Sequence, residues 1–384
     1  MEAFRAEGKF PSALFSTPSA YTHYNKAMIE KAVYRIIDAN FNRAREALRV
    51  MEEYCRFALN HPTLSAQAKQ LRHRLCQALS QLPATRLIAC RDSERDVGAE
   101  IQVAGQLQRT QLEDCLTAGC KRLSEALRAL TESIQTFDPN LAQSLERLRF
   151  AGYQLEKDIA VIGIPCQRYR QVRLYVLVSH DHPTEVLQQT QACIAGGADC
   201  IQLRSKHLDD RSYLSLAQDF VKICKDSHVL SIVNDRIDIA VAAEADGVHL
   251  GGNDLSVNCT RMLQREPLIV GSTTHNAFEL TTAIADSPTY IALGPAFATH
   301  TKPDLDPVGL DYLRQAATTL SDTGIGNVAI GGITLDTLPA VLATGVQAVA
   351  ICAAVTAAPD PKAACQAFKE ILTQNTIQTG IPCE

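Results

Sequence analysis

Between residues 37 and 58 apolar side chains return at steps of four and three: Ile37, Phe41, Ala44, Leu48, Met51, Cys55 and Ala58. That spacing lays one stripe along a helix and predicts a helix over 26–59, stopped by His61-Pro62. The same reading predicts helices over 64–82, 110–136 and 139–162. The charged, glycine-containing stretch 90–98 reads as a loop. Beyond residue 165 the pattern changes. Short apolar runs at 174–178, 200–203, 230–233, 247–250, 268–271, 290–293, 328–330 and 348–351 alternate with helix-length segments. Continuous apolar runs are what strands buried on both faces require, and eight such units predict a closed ring. The expected fold class is α/β: a C-terminal (β/α)8 TIM barrel preceded by an all-α domain. A doubly wound open sheet is the alternative, but eight evenly spaced units favour closure.

Composition supports the division. Six of the 20 glycines lie in 1–165. The formal charge is +3 up to residue 165 and −8 beyond it, for a net −5. Both shifts place a boundary near Ile162-Gly163-Ile164-Pro165. The expected organisation is a poorly ordered leader at 1–25, a helical domain at 26–165 and a barrel at 166–384. With 46% apolar and 21% charged residues the chain is globular in composition. No polybasic tail is present, which leaves nucleic acid and membrane surfaces without support as partners. No run of 18 apolar residues exists, so a transmembrane helix is excluded. The N-terminus lacks a basic stretch followed by an apolar one, so it does not read as a secretory signal. The 13 cysteines form no C-x-x-C pair and read as reduced core residues of a cytoplasmic protein.

In a barrel of this kind chemistry lies at the carboxyl ends of the strands. The second strand ends in Gln202-Leu203-Arg204-Ser205-Lys206, whose alternate residues share a face. Arg204 and Lys206 there suit an anion, although a solvated strand end would look similar. The third strand ends in Asn234-Asp235, and the loop after the fourth carries Gly251-Gly252-Asn253-Asp254. Two carboxylates opposite a cationic clamp suit Mg²⁺ with phosphate ligands. The blander readings are a turn residue for Asp235 and a helix N-cap for Asp254. Thr273 closes the fifth strand, and Thr299, Thr301 and Lys302 follow the sixth. Hydroxyls and a lysine on that glycine- and proline-shaped loop can hold phosphate oxygens. His275 and His300 read as supporting histidines rather than a general base. Gly331-Gly332 after the seventh strand and Cys352-Ala353 after the eighth offer backbone N–H groups as a phosphate cup. No nucleophile stands beside a base. The pattern therefore points to departure of a diphosphate, with cations stabilising the leaving charge.

These residues resemble thiamine-phosphate synthase from about 173 to 372. The resemblance rests on Gln202-x-Arg204-x-Lys206, Asn234-Asp235, Gly247-Val248-His249-Leu250-Gly251 with Asp254, Gly294-Pro295-x-Phe297-x-Thr299-x-Thr301-Lys302, and Gly331-Gly332-Ile333. It implies condensation of 4-amino-2-methyl-5-hydroxymethylpyrimidine diphosphate with thiazole phosphate, or its carboxylate, releasing diphosphate. It further implies Mg²⁺ on Asp235 and Asp254, and Lys206, Lys302 and Asn234 as catalytic residues. The diphosphate and pyrimidine would be held by Gln202, Arg204, Lys206, Asn234, Thr273, Thr299, Thr301 and Lys302. The thiazole phosphate would sit on Gly331, Gly332, Cys352 and Ala353. Three departures stand out: Gly252 where the family usually has Gln, Thr273 where it has Ser, and Ala353 where Ser is common.

The helical part carries Asn42, Arg45, Arg49, Glu52 and Arg56 on one side of its first helix, either as a solvated face of ion pairs or as an anion surface. The absence of G-x-x-x-x-G-K-[ST] excludes a P-loop kinase. The stretch 36–57, with Leu71-Arg72-His73 and Arg91-Asp92 to Asp96-Val97-Gly98, resembles the helical domain fused ahead of this synthase in cyanobacteria. That domain is similar to a monofunctional hydroxymethylpyrimidine phosphate kinase, which implies ATP as a substrate. Candidate residues are Asp38, Asn40, Arg43, Glu46, Arg49, Glu53, Arg56, Arg91, Asp92 and Asp96. Two other readings remain: a non-catalytic oligomerisation or regulatory module at the N-terminus, and a related thiazole tautomerase in the barrel. The expected partners are small phosphorylated molecules, with a homo-oligomer left open.

Overall fold

The computed structural model describes residues 18–98, 101, 109–180, 182–299 and 305–379, with side chains from 26 to 375. The chain divides into two compact units. One holds the residues up to Tyr54 together with Ser65–Glu156. The other holds Cys55–Leu64 and everything from Lys157. The seam therefore lies a few residues before the expected one, and a short early segment belongs with the barrel.

The first unit is helical: α1 (Pro18–Glu53), α2 (Pro62–Leu79, entering the unit at Ser65), α3 (Ala84–Ala89), α4 (Leu112–Gln135) and α5 (Pro139–Asp158, leaving the unit after Glu156). The stripe of α1 does what its spacing demands. Ile37, Ala44, Leu48 and Met51 are buried, alongside Leu71 and Leu75 of α2, Leu127 and Leu130 of α4 and Leu145 and Leu148 of α5. The first helix, expected over 26–59, starts earlier, at Pro18, within the stretch read as a poorly ordered leader, whose residues 1–17 lie outside the described ones, and its last turn, Tyr54–Ala58, is π-helical. A second π turn, Ile159–Gly163, replaces the expected end of the fourth helix and leads into α6 (Ile164–Tyr169). The α3 helix was not expected, since six residues after Pro83 carry no readable period.

The second unit is a closed parallel barrel in simple order: β1 (Leu174–Val178), β2 (Cys200–Leu203), β3 (Leu230–Asn234), β4 (Gly247–Leu250), β5 (Ile269–Thr274), β6 (Tyr290–Leu293), β7 (Gly326–Ile330) and β8 (Ala348–Ile351), with β8 pairing back to β1. Around it run α7 (Pro183–Ala195), α8 (Asp210–Asp226), α9 (Ile237–Ala242), α10 (Val257–Leu263), α11 (Ala277–Asp286), α12 (Gly309–Leu320), α13 (Leu338–Leu342), α14 (Ala353–Thr356) and α15 (Pro361–Thr379). Strand alternation splits the core in two. Val176, Ile201, Val233, Val248, Ile291 and Val349 pack outward against the helices. Tyr175, Cys200, Ile232, Ile269, Tyr290, Val328 and Ala348 fill the barrel interior. Tyr169 of α6 joins that interior, stacked on Tyr290 at 4.2 Å between ring centroids. The open-sheet alternative is thus set aside.

None of the twelve described cysteines is in a disulfide, and seven of them are buried. Among the described residues no helix is long and apolar enough to cross a membrane.

Candidate active site

A cavity of about 490 Å³ opens at the carboxyl ends of the strands. Its wall is the residue set that strand alternation delivers. Gln202, Arg204 and Lys206 come from the end of β2, Asn234 and Asp235 from β3, Thr273 from β5 and Thr299 from the loop after β6. Gly331 and Gly332 follow β7, and Cys352 and Ala353 follow β8. Gly331 and Gly332 have φ of +101° and +64°, a region L side chains rarely adopt. A Cβ on Gly331 would also sit 2.4 Å from Pro295, so the β7 loop can take this close path only as glycine. Thr301, Lys302 and His300 lie outside the described residues. His275 also lines the cavity, with Nδ1 hydrogen bonded to the Gly294 carbonyl.

Asp235 is a strongly perturbed carboxylate at this end of the barrel. Half-buried, it sits at φ +61°, and its N–H donates to the His249 carbonyl at 2.8 Å. Burial pushes its pKa up, contact with the Asp254 carboxyl pushes it further, and Lys206 and Arg204 pull it back, leaving it at about 6. Asp254 is not part of the cavity wall. Its Oδ2 accepts from the Gly251 N–H at 2.6 Å, which folds the loop so that the two carboxylates meet. It is not a helix cap either, because α10 is capped by Ser256. Among the described residues no group of three or more His, Cys, Asp or Glu side chains gathers to ligate a metal. Two carboxylates remain, a number that suits an ion keeping water and phosphate ligands.

The sequence reading missed part of the site. Tyr175 and His249 also line the cavity, and Tyr290 lies buried beneath it. Tyr175 and Tyr290 look like ordinary core residues of apolar strands, and His249 entered only as part of the Gly247–Gly251 motif, without a role. The signal that could have placed them was their inward register, shared with Gln202 and Thr273.

The ten candidates of the helical unit do not form one cluster. Asn40, Arg43 and Glu46 line a surface groove of about 530 Å³ with Arg122 and Glu125 of α4. Asp38, 7% exposed, instead receives two hydrogen bonds from the Arg91 guanidinium, at 2.6 and 2.8 Å. Asp92 lies beside that pair, its carbonyl accepting from Arg35. Arg49 pairs with Glu53 at 2.8 Å, and with Glu52, its neighbour on the face read as ion-paired, at 3.6 Å. Asp96 turns its own loop by accepting from the Gly98 N–H. Arg56, stacked over Phe57, falls in the other unit.

The chain is 39% identical to the thiamine-phosphate synthase of Synechocystis sp., over 89% of this chain and 96% of that protein. It belongs to the thiamine-phosphate synthase family. The family described as "Thiamine monophosphate synthase" matches residues 174–355, and the "ThiD2 family" matches 35–158. The synthase of Thermosynechococcus vestitus is 37% identical over 88% of this chain and 95% of its own length. Among solved structures, the thiamine phosphate pyrophosphorylase from Pyrococcus furiosus is 29% identical with a TM-score of 0.50, covering 54% of this chain and 98% of that one. Of the departures from the family, Gly252 is exposed and a Cβ there would meet nothing within 4 Å, so the position leaves room for a longer side chain.

Proposed function

We propose that the barrel joins hydroxymethylpyrimidine diphosphate to thiazole phosphate, making thiamine phosphate and releasing diphosphate. The observation that carries this is the gathering of a cationic clamp, the Asp235 carboxylate and a glycine cup in one cavity, with Asp254 against Asp235 just outside its wall. Arg204, Lys206, Asn234 and Thr299, together with Thr301 and Lys302, would hold the diphosphate. Gln202 and Thr273 would hold the ring. Gly331, Gly332, Cys352 and Ala353 would bind the thiazole phosphate through backbone N–H groups. In this arrangement the C–O bond to the diphosphate breaks, the thiazole nitrogen attacks the exposed carbon, and a C–N bond forms. Arg204 and Lys206 stabilise the charge that builds on the departing oxygen.

Asp235 and Asp254 fit Mg²⁺. Burial and then the neighbouring Asp254 carboxyl hold a proton on Asp235 to about pH 6, and a divalent cation there would relieve the repulsion between the two carboxylates. When bound, the ion would neutralise the leaving diphosphate. The cationic clamp argues against the tautomerase alternative, because an isomerisation has no diphosphate to hold.

The helical unit would supply the diphosphate by transferring a phosphoryl group from ATP to the pyrimidine monophosphate. The ThiD2 match supports this, as does the groove of Asn40, Arg43, Glu46, Arg122 and Glu125. The barrel reading is tested with the diphosphate, thiazole phosphate and Mg²⁺. Wild type forms thiamine phosphate, and Asp254→Ala and Lys302→Ala each lower turnover severely. Full activity in either variant would remove that residue from the site.

A further inference from the structure

One hydrogen-bond chain crosses the interior of the barrel beneath the cavity. Gln202 Nε2 on β2 donates to Tyr175 Oη on β1 at 2.8 Å. Tyr175 Oη meets Tyr290 Oη on β6 at 2.8 Å. Tyr290 Oη meets His249 Nδ1 on β4 at 3.0 Å, and His249 Nε2 meets Thr273 Oγ1 on β5 at 2.9 Å. Five of the eight strands contribute. Gly271 makes the crossing available, since a Cβ there would lie 2.4 Å from Tyr290 Oη and 2.6 Å from His249 Nδ1. Both phenols are fully enclosed, and burial pushes them well above their ordinary range, so each carries its single proton.

A chain of groups with one proton apiece has a direction. Gln202 donates to Tyr175, so the Tyr175 proton is passed to Tyr290. Tyr290 then donates to His249 Nδ1. A neutral imidazole accepting there carries its hydrogen on Nε2, which donates to Thr273. The Thr273 proton is left for the cavity. At the other end Gln202, 2% exposed, keeps its Oε1 buried with no partner among the described residues. Reversing one link reverses them all. The two ends are therefore set together: an acceptor at Gln202 and a donor at Thr273. An aminopyrimidine offers the complement, an N–H donor on its amino group beside an acceptor ring nitrogen. The oxo counterpart offers the opposite pair, a carbonyl beside a ring N–H.

We propose that Tyr175, Tyr290 and His249 are positioning residues that fix this direction, so that the cavity selects an aminopyrimidine over the matching oxopyrimidine. The proposal rests on the reading of the cavity as a pyrimidine diphosphate site and adds what sets its specificity.

The test uses the full chain with Mg²⁺ and no thiazole phosphate. Calorimetry measures the Kd of the 4-amino and 4-oxo forms of hydroxymethylpyrimidine diphosphate. Wild type should favour the amino form by at least ~100-fold, since a wrong hydrogen-bond pattern leaves buried polar groups unpaired at both ends. In Tyr175→Phe the Gln202 amide loses its acceptor and is free to turn, and the preference should fall at least ~10-fold. Tyr290→Phe should do the same, and Thr273→Ser, which keeps the hydroxyl, should keep the preference. A merely structural role would weaken both ligands alike and leave the ratio where it was. A ratio within twofold of wild type in Tyr175→Phe overturns the proposal, whether or not Tyr290→Phe folds. A wild type that binds neither form overturns the reading of the cavity, and this proposal with it.

Discussion

Asp235 concentrates the conflict between stability and function at a single residue. Its folded pKa of about 6 lies above the ordinary aspartate value, so the folded state holds a proton that the unfolded chain gives up. The sign follows. Its stabilising effect is full below about pH 4 and is lost as pH rises through about 6. Asparagine keeps the shape and does not titrate. Asp235→Asn should therefore be more stable than wild type at pH 7.5, with an advantage that shrinks towards pH 4. The same change removes a proposed Mg²⁺ ligand, so turnover should fall at least ~100-fold. Calorimetric melting at pH 4.5 and 7.5, beside a turnover assay, checks both halves. A variant less stable than wild type at pH 7.5 would refute the carboxylate repulsion. At this scale the cavity was largely legible: Gln202, Arg204, Lys206, Asn234 and Asp235 are polar residues where apolar strands end, and such interruptions show in the sequence. Tyr175 and Tyr290 were not legible, because a polar tip on a large side chain inside a strand looks like core, and His249 showed only as a member of the Gly247–Gly251 motif, with no role attached. Asp254 was legible as a partner of Asp235, but a turn through Gly251 rather than a helix cap brings it there.

Elements follow the same logic. Strands buried on both faces announce themselves as apolar runs, and β1, β2, β4, β6 and β8 match their expected bounds. β5 and β7 extend further because Ser272-Thr273-Thr274 and Gly326-Asn327 pair in the sheet without being apolar. The π turns were hidden for another reason. Cys55 and Ala58 continue the three-and-four spacing, and that spacing does not reveal whether a carbonyl bonds four or five residues ahead. The turn at Tyr54–Ala58 has a consequence. It leads into Cys55–Leu64, which belongs with the barrel: His61 lies against Gly324, and Thr63 Oγ1 donates to the Thr323 carbonyl at 3.2 Å. His61 Nδ1 accepts from the Leu64 N–H, while Nε2 is buried with no partner among the described residues. Burial lowers its pKa, so below about pH 6.5 the unfolded chain takes up a proton that the folded state resists. The contribution of His61 is full above that pH. It should erode by up to ~1.4 kcal/mol per pH unit as pH falls towards the depressed folded value. His61→Asn keeps a cap for α2 without the titration. Its stability relative to wild type should therefore rise between pH 7.5 and 5, as followed by urea unfolding. A constant difference over that range would show that His61 takes its proton as easily in the folded state as in the unfolded one.

For the whole molecule, the two family matches fall on the two compact units, residues 35–158 on one and 174–355 on the other. The sequence showed this division through glycine content and charge. It placed the seam late, because α5 runs past Glu156 to Asp158 and directly into a π turn, with no break in the helical path. The segment Cys55–Leu64 also makes the barrel unit discontinuous in sequence, so deleting residues 1–165 would remove part of it. Point variants in the full chain separate the two activities more cleanly. Given ATP, Mg²⁺, the pyrimidine monophosphate and thiazole phosphate, wild type should form thiamine phosphate. Asp254→Ala should stop product from the monophosphate and from the diphosphate alike, because both routes end in the barrel. Arg43 is exposed and lines the α1–α4 groove. Arg43→Ala should cut the monophosphate route at least ~10-fold, as loss of a charged phosphate contact does, and leave the diphosphate route intact. Product from the diphosphate alone in wild type would make the helical unit a structural or regulatory module. An unaffected monophosphate route in Arg43→Ala would keep the kinase and move its site away from the groove, with Asp38 and Arg91 as the next residues to change.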